Sequence, residues 1–496
     1  MQKSLSVVLF KSVHTKFNFN CFGFGGEKLI KTKSSTLKSN MFGDKLFYSK
    51  MFAIVIPIII QNTITNVVSL LDNIMVGRIG TLEMSAVAID NQLLFVFYIC
   101  IFGGLSGAGI FATQYVGAKD DNGVRSCFRA KLMIAFAMVA VAMVIFIAIP
   151  DKLISLYLAE DTAASDVEAT LGFAMDYLRI MLAGVVPFAL SQVYSSSLRE
   201  LGETKVPMAA SIVAILVNLV FNYLLIFGSF GFPKLGVVGA AVATVLSRYV
   251  EMIILMVYTH THSSNFPFIK GAYRSMKIPR KLAGDIMKRG MPLLVNEALW
   301  SAGMATLNQC YSVRGLDVVA AVNISSTVSN LFNVVFLSMG NAIAIMVGQH
   351  LGANEVEKAK QTAWRLITAT VGGCVVMGGI LAVCSPFIPR IYNTTEAVRS
   401  LATQFLLVGA AIMPVLSFAH DCYFTIRSGG RTMLTFVFDS CSMWLIAVPL
   451  AMVLANFTDL PVVPLFIVVQ LIEVLKCVIG FILVKKGIWI RNIIDN

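Results

Sequence analysis

The strongest constraint on this chain is a series of apolar runs, roughly twelve of them along 496 residues. Each is about 20 residues or longer, enough for a helix rising 1.5 Å per residue to cross a hydrocarbon core of about 30 Å. The runs lie near 50–75, 85–116, 126–149, 168–193, 207–228, 237–259, 284–312, 319–349, 361–385, 398–424, 433–455 and 462–484. The expected fold is therefore an all-α integral membrane protein of about twelve transmembrane helices. Composition excludes a soluble enzyme: 57% of the residues are apolar and 13% charged, against about 25% charged in soluble domains.

The net charge of +12 is an orientation signal. With the N-terminus inside, thirty Lys and Arg fall on cytoplasmic connections and six on the opposite side (Arg78, Lys152, Lys234, Arg314, Arg390, Arg399). Such a bias places a chain with an even number of spans in the cell membrane with both termini cytoplasmic. The basic connections suit anionic membrane lipid, and nucleic acid is set aside. Nine cysteines are scattered without a CxxC spacing and the five histidines form no HExxH, so neither a disulfide framework nor a metal site is expected. No phosphate-binding glycine loop stands in strand-to-helix context, which removes nucleotide hydrolysis by this chain; no cofactor is expected. Residues 1–45 fit neither a span nor a signal peptide and read as a disordered cytoplasmic arm or as a start placed upstream of Met41.

Internal repetition organises the rest. Pro57 and Pro292 each open a span, 235 residues apart, and at the same offset "ATQYVGAKDDNGVR" (112–125) faces "VGQHLGANEVEKAK" (347–360), pairing Gln114 with Gln349 and Gly117 with Gly352. "LRELGETK" (198–205) resembles "IRSGGRTM" (426–433), pairing Arg199 with Arg427, Gly202 with Gly430 and Thr204 with Thr432. The expected organisation is two pseudo-symmetric six-helix lobes of like orientation, 46–260 and 282–490, joined by a cytoplasmic loop over 261–281. A cavity between two such lobes sits at the membrane midplane, as in secondary transporters.

Charges inside spans cost a few kcal/mol or more, so each needs a partner or a role. Asp176/Arg179, Arg248/Glu251 and Glu473/Lys476 are opposite charges three apart on one helix and neutralise each other. Asp72, Asp90, Glu297, Asp421 and Asp439 have no basic residue three or four away. Glu297 lies near mid-membrane and is a candidate for coupling or substrate binding; its structural alternative is a hydrogen bond to Asn296, Asn308 or a neighbouring helix. Asp72 shares a span with Asn62, Thr65, Asn66 and Ser69, which follow a helical spacing and could line a wet face or glue helices together. Asn218 and Asn222 share a face of the fifth span. His420 and Asp421 point about 100° apart on a helix and do not form a relay.

These residues carry a resemblance. "PIIIQNTITNVVSLLDNIMVGRIG" (57–80), "LRELGETKVPM" (198–208), "NLVFNYLLIFGSFGFPKLGVVGAAVAT" (218–244) and "IRSGGRTM" (426–433) are similar to the multidrug and toxic compound extrusion (MATE) family, in order and over about 46–490. The resemblance implies two lobes forming a V and export of cationic amphiphilic small molecules in exchange for protons or sodium ions. Asp72, fifteen positions after Pro57, matches the family's ion-coupling carboxylate. Asn218 and Thr244 match polar partners of that site, and Asn222 stands where relatives with that site carry Asp. Sodium-coupled relatives have a Glu in the seventh helix and an Asp in the tenth. Glu297 lies about one turn nearer its proline, and Asp421 is shifted about five positions, with Leu416 at the matching place.

The expected function is a monomeric secondary antiporter exporting organic cations by alternating access. Asp72 and Glu297 are the expected ion-coupling residues, and Asn218, Asn222, Thr244 and Asp421 the expected pocket, with sodium as the only metal ion considered. One rival is a flippase of lipid-linked oligosaccharides, which needs a more cationic cavity. The other is a membrane-embedded transferase, which needs clustered carboxylates or histidines at one face.

Overall fold

The computed structural model describes residues 42–157 and 164–495; the reading of the N-terminal arm falls, through residue 41, outside the described residues. Among them are twelve long helices and no strand: α1 Lys45–Gly77, α2 Thr81–Gly117, α3 Asp121–Ala148, α4 Ala164–Glu200, α5 Lys205–Phe227, α6 Val237–Thr261, α7 Arg280–Ser312, α8 Leu316–Gly352, α9 Val356–Cys384, α10 Glu396–Ser428, α11 Thr432–Phe457 and α12 Val462–Lys485. Helices are the form expected here, because lipid offers no partner to backbone N–H and C=O groups. Eleven of the twelve are long and apolar enough to span a membrane. The exception is α7, with six charged residues, five of them in its first ten positions.

The repeat is visible in the helices themselves. Helices α1 and α7 are each 33 residues with an internal proline, Pro57 and Pro292, while α2 and α8 are each 37 residues. Pro187 in α4 and Pro414 in α10 extend the correspondence. Side-chain caps fix helix starts: Asp44 accepts from Phe47 N (2.8 Å), Asp120 from Asn122 N and Gly123 N (3.0 Å each), and Thr395 from Val398 N (3.3 Å), each satisfying backbone donors the helix leaves open.

One apolar core is built by α2 to α6 around Leu94, Phe128, Leu178 and Leu255. Others are built by α7 to α12, and the first turns of α1 (Phe47, Met51, Val55) join a C-terminal one. The lobes meet along α1, α2, α7 and α8. Small residues bring backbones together there: a methyl on Gly103 would lie 3.0 Å from the Leu294 Cα, and one on Gly107 3.0 Å from the Gly290 nitrogen.

At the end of the bundle where the basic connections gather, the seam is closed by the residues paired in the repeat. Gln114, on α2, is fully buried and donates to the carbonyl of Ser428, the last residue of α10, at 3.1 Å. Gln349, on α8, donates to the carbonyl of Glu200, the last residue of α4, at 2.8 Å. Each glutamine thus reaches into the opposite lobe, and Gly117 and Gly352 let α2 and α8 cross at backbone contact, Gly117 against Gln349 and Gly352 against Gln114. The C-terminal tail reinforces the closure: Ile493 N donates to Gln114 Oε1 at 2.9 Å, and the Ile493 side chain is buried among α2, α3 and α7 residues.

The inter-lobe loop is more tightly held than a tether. Arg125 donates to the carbonyls of Phe268 and Pro267 (3.1 Å each), and Arg129, one turn along α3, to those of Ala272 and Gly271 (2.8 Å each). Two guanidinium forks one turn apart match the carbonyls of the turn, so the loop is bound to the N-terminal lobe.

Candidate functional site

Asp72 sits five residues before the end of α1. Asn222 Nδ2 donates to its Oδ1 at 2.7 Å and lies 3.2 Å from Asn218 Oδ1. The Asn218 amide is 3.2 Å from the Thr244 hydroxyl. Turned by half a rotation, that amide donates to both Asp72 oxygens at 3.1 Å and accepts from Thr244. Asn218 and Asn222 meet the carboxylate together because they are four apart on α5 and share a face. Three helices thus bring together Asp72, Asn218, Asn222 and Thr244, the first of them expected to couple ions and the others to shape its pocket. Asn222 Oδ1, buried beside the carboxylate, has no donor among the described residues.

Glu297 and Asp421 do not join this group. Glu297 faces Arg427 at 4.0 Å, and the Arg427 guanidinium stacks over Phe424 (5.0 Å) and Phe102 (5.7 Å). Asp421 is fully buried beside Thr370 of α9, apart from both clusters. His420 packs on Phe424 (4.8 Å) and Phe336 (5.2 Å). Asp90 is fully buried with no hydrogen-bond partner among the described residues.

The expectation that Glu297 and Asp439 are unpaired is corrected. Lys476 Nζ lies 3.0 Å from Asp439 Oδ1 and 3.1 Å from Glu473 Oε1. Asn296 donates to Asp439 Oδ2 at 3.1 Å and accepts from Ser440 at 2.6 Å. Neighbour arithmetic along one helix cannot see such partners, which arrive from other helices. Asp439 and Ser440 lie on a π-helical stretch of α11, Val437–Cys441, a widened turn of the kind that re-aims side chains at functional positions.

The N-terminal lobe carries a matching inner chain that the sequence reading missed. Arg199 donates to Gln61 Oε1 (3.0 Å), Gln61 Nε2 to Ser211 (2.6 Å), and Ser211 to Glu251 (2.5 Å), beside Arg248 at 3.8 Å. Gln61 stands 235 residues before Asn296, and Ser211 stands 228 before Asp439, so both chains link the first, fifth and sixth helices of their lobes. The repeat offset was the signal that could have found them. Lys131, Arg199 and Arg427 lie inside the bundle: fully buried Lys131 lies 2.6 Å from Glu200, and Ser196 and Ser197 sit at 3.1 and 3.2 Å from its ammonium.

Partners separate the carboxylates by kind. Glu200, Glu251, Glu297, Asp439 and Glu473 each lie within 4.0 Å of a Lys or Arg, whereas the hydrogen-bond partners of Asp72 are neutral amides. Between the lobes lies a cavity of about 100 Å³, lined by Phe102, Gln192, Arg199, Asn341, Phe424 and Arg427 among others. Both arginines have an acidic neighbour, Glu251 or Glu200 for Arg199 and Glu297 for Arg427. Among the described residues no three His, Cys, Asp or Glu side chains are grouped to hold a metal ion.

The family model MatE matches residues 57–224 and 292–453. The chain is 25% identical over 443 residues to the probable multidrug resistance protein YoeA of Bacillus subtilis (strain 168), covering 88% of this chain and 93% of that one. It is 24% identical over 413 residues to the probable multidrug resistance protein NorM of Thermotoga maritima, covering 83% and 86%. Among solved structures, a multidrug resistance MATE family transporter of the MOP superfamily in an outward-facing conformation aligns with a TM-score of 0.79 at 20% identity, covering 90% of this chain and 97% of that one. A MATE crystal structure in a bent conformation aligns at 0.80 and 20%, covering 90% and 96%. With the family match spanning both halves and the same helical fold recurring in solved relatives, the chain belongs to the MatE family and is a multidrug efflux transporter of the MATE type, not an enzyme.

Proposed function

We propose that this transporter is a secondary antiporter that exports organic cations by alternating access, driven by protons or sodium ions exchanged at Asp72. The observation that carries the reading is the environment of Asp72: a carboxylate within a membrane-spanning helix, held by the amides of Asn222 and Asn218 and adjoining the unpartnered Asn222 Oδ1. The other paired carboxylates already have a fixed cation beside them. Asp72 can take one from either side. A carboxylate carrying a proton or sodium ion no longer attracts a cationic substrate at full strength, so ion binding on the outside favours release there. A differential affinity of a few kcal/mol is enough to shift such an equilibrium.

The lobes of the antiporter are 46–260 and 282–490, joined through 261–281. It works as a monomer in the cell membrane with both termini cytoplasmic, its basic connections against anionic lipid. Glu297 is a secondary acidic site whose charge is shared with Arg427.

The test is dye efflux in everted vesicles under an imposed pH gradient and, separately, an imposed sodium gradient, with the Asp72→Asn variant beside the parent. The variant is expected to lose gradient-driven efflux. Undiminished efflux in D72N would overturn the assignment, and the gradient that fails to drive the parent is excluded as the coupling force.

A further inference from the structure

The C-terminal lobe has its own pair of carboxylates, and they are already occupied. Asp439 of α11 and Glu473 of α12 converge on one point, where the Lys476 ammonium lies 3.0 and 3.1 Å from an oxygen of each and 5.9 Å from the centre of the Phe438 ring. Lys476 is the fifteenth residue of a 24-residue span, so its Cα lies about 13 Å along the helix from the Lys485 end. Side-chain exposure is 13% for Lys476, 18% for Asp439 and 20% for Glu473.

A structural salt bridge needs one acid for one base. Here one ammonium serves two acids on two helices, and the oxygen-rich surroundings continue through Asn296 to Tyr423, 3.4 Å from the Asn296 amide. Two carboxylates cannot both stay charged at this depth without a cation between them. An ammonium with three N–H donors fills that place, and unlike a free ion it is tethered and does not dissociate.

We propose that Lys476 is a resident cation, filling the carboxylate site of the C-terminal lobe in place of an inorganic monovalent ion and so leaving ion exchange to Asp72. The inference rests on the antiport reading and refines it by naming what sets the ion requirement of each lobe. The equivalent place in the N-terminal lobe is similarly closed by Arg248 beside Glu251, at 3.8 Å.

Removing the ammonium should convert a filled site into an empty one that takes sodium. The experiment measures thermal unfolding of the full-length, detergent-purified protein in sodium chloride and in choline chloride of equal ionic strength, with Asp72→Asn as the parent, so that sodium has no carboxylate to bind at position 72, and with Lys476→Ala or Lys476→Arg added to that background. The parent and K476R, each carrying its own cation, are expected to melt at the same temperature in both salts. K476A is expected to melt lower than the parent in choline and to shift upward in sodium, because a ion bound to the folded state alone stabilises it. Recovery of K476A only when purified in sodium is the same result in stronger form. K476A equally unstable or equally unrecoverable in both salts overturns the inference, since a plain salt bridge gives that outcome. A sodium-stabilised parent or K476R also overturns it. None of these measurements involves the Asp72 carboxylate, so their failure leaves the D72N efflux result standing, and the failure of the D72N efflux test leaves these standing.

Discussion

The α2–α8 crossing offers a direct test of how the two lobes close. A methyl group on Gly117 would lie 2.7 Å from the carbonyl carbon of Gln349 and 2.9 Å from its Cα, and one on Gly352 would lie 2.5 and 2.6 Å from the same atoms of Gln114, where ordinary contact begins at 3.4 Å. These are backbone atoms of the facing helix, and the Gln349 carbonyl oxygen lies nearer still, so relief requires the helices to part by more than the roughly 0.7 Å that the carbonyl carbon alone demands for Gly117→Ala. The Gln349–Glu200 bond (2.8 Å) and the Gln114–Ser428 bond (3.1 Å) span the same crossing and stretch with it. Losing each costs about 1 kcal/mol, and residual overpacking costs about 1 kcal/mol more. Ala in place of Gly returns about 0.5 kcal/mol or a little more in backbone entropy, the low end because Gly117 is the last residue of α2. That entropy term is common to the closed and open forms, so the penalty on the closed arrangement alone is about 3 kcal/mol, lowering its population relative to an open one about 140-fold. The assay is labelling of Thr113→Cys by a membrane-impermeant maleimide in everted vesicles, with and without G117A, against the background of the native cysteines. Thr113 is buried and faces Gly348 across the seam, a methyl there lying 3.1 Å from its Cβ. Faster labelling and reduced efflux are expected from the double variant. Labelling and efflux at the rates of the Thr113→Cys parent would refute the view that this crossing is where the lobes close.

Two further outcomes follow from the polar networks. Asn222→Leu removes the 2.7 Å donor to Asp72, an interaction with a charged acceptor worth about 1.5–3 kcal/mol, so efflux should need a steeper ion gradient while protein yield stays near that of the parent; an unchanged gradient dependence counts against the cluster. Lys131→Met removes the ammonium 2.6 Å from Glu200 inside the bundle, and breaking a buried pair from one side costs about 3–5 kcal/mol. The double variant Lys131→Met/Glu200→Leu should regain most of the lost thermal stability, and a double variant as unstable as the single one would place the loss in packing instead of charge.

Much of this arrangement is legible in the sequence, and what is not has a common physical cause. Apolar length locates the spans because lipid forces each run to satisfy its own backbone. The three opposite-charge pairs set three apart recur as ion pairs at 3.6, 3.8 and 3.1 Å, since that spacing brings side chains together on any helix. The repeat pointed at Gln114, Gln349, Gly117 and Gly352, though only the structure shows that each glutamine ends on the other lobe. Glu297–Arg427 and Asp439–Lys476 could not be read, because the partners are 130 and 37 positions apart and meet only through helix packing.

What the two halves keep and what they lose bears on mechanism. The inter-lobe clasp is present twice, and so is the inner chain linking the first, fifth and sixth helices. The Asp72 cluster is present once: at the offsets of 235 and 228 residues, the counterparts of Asp72, Asn218 and Asn222 are Leu307, Ile446 and Leu450. A contact that closes one lobe on the other must be satisfied from both sides, so a duplicated chain has reason to keep both copies. An ion site needs to load and unload only once per cycle, and a second amide-held exchange cluster would add the desolvation cost of its carboxylate with no further use; Asp90 and Asp421, which also lack a cation beside them, are fully buried and have no amide donor among the described residues. The apolar residues at 307, 446 and 450 are what that difference in demand leads one to expect, and they place the burden of ion exchange on the lobe that retains Asp72.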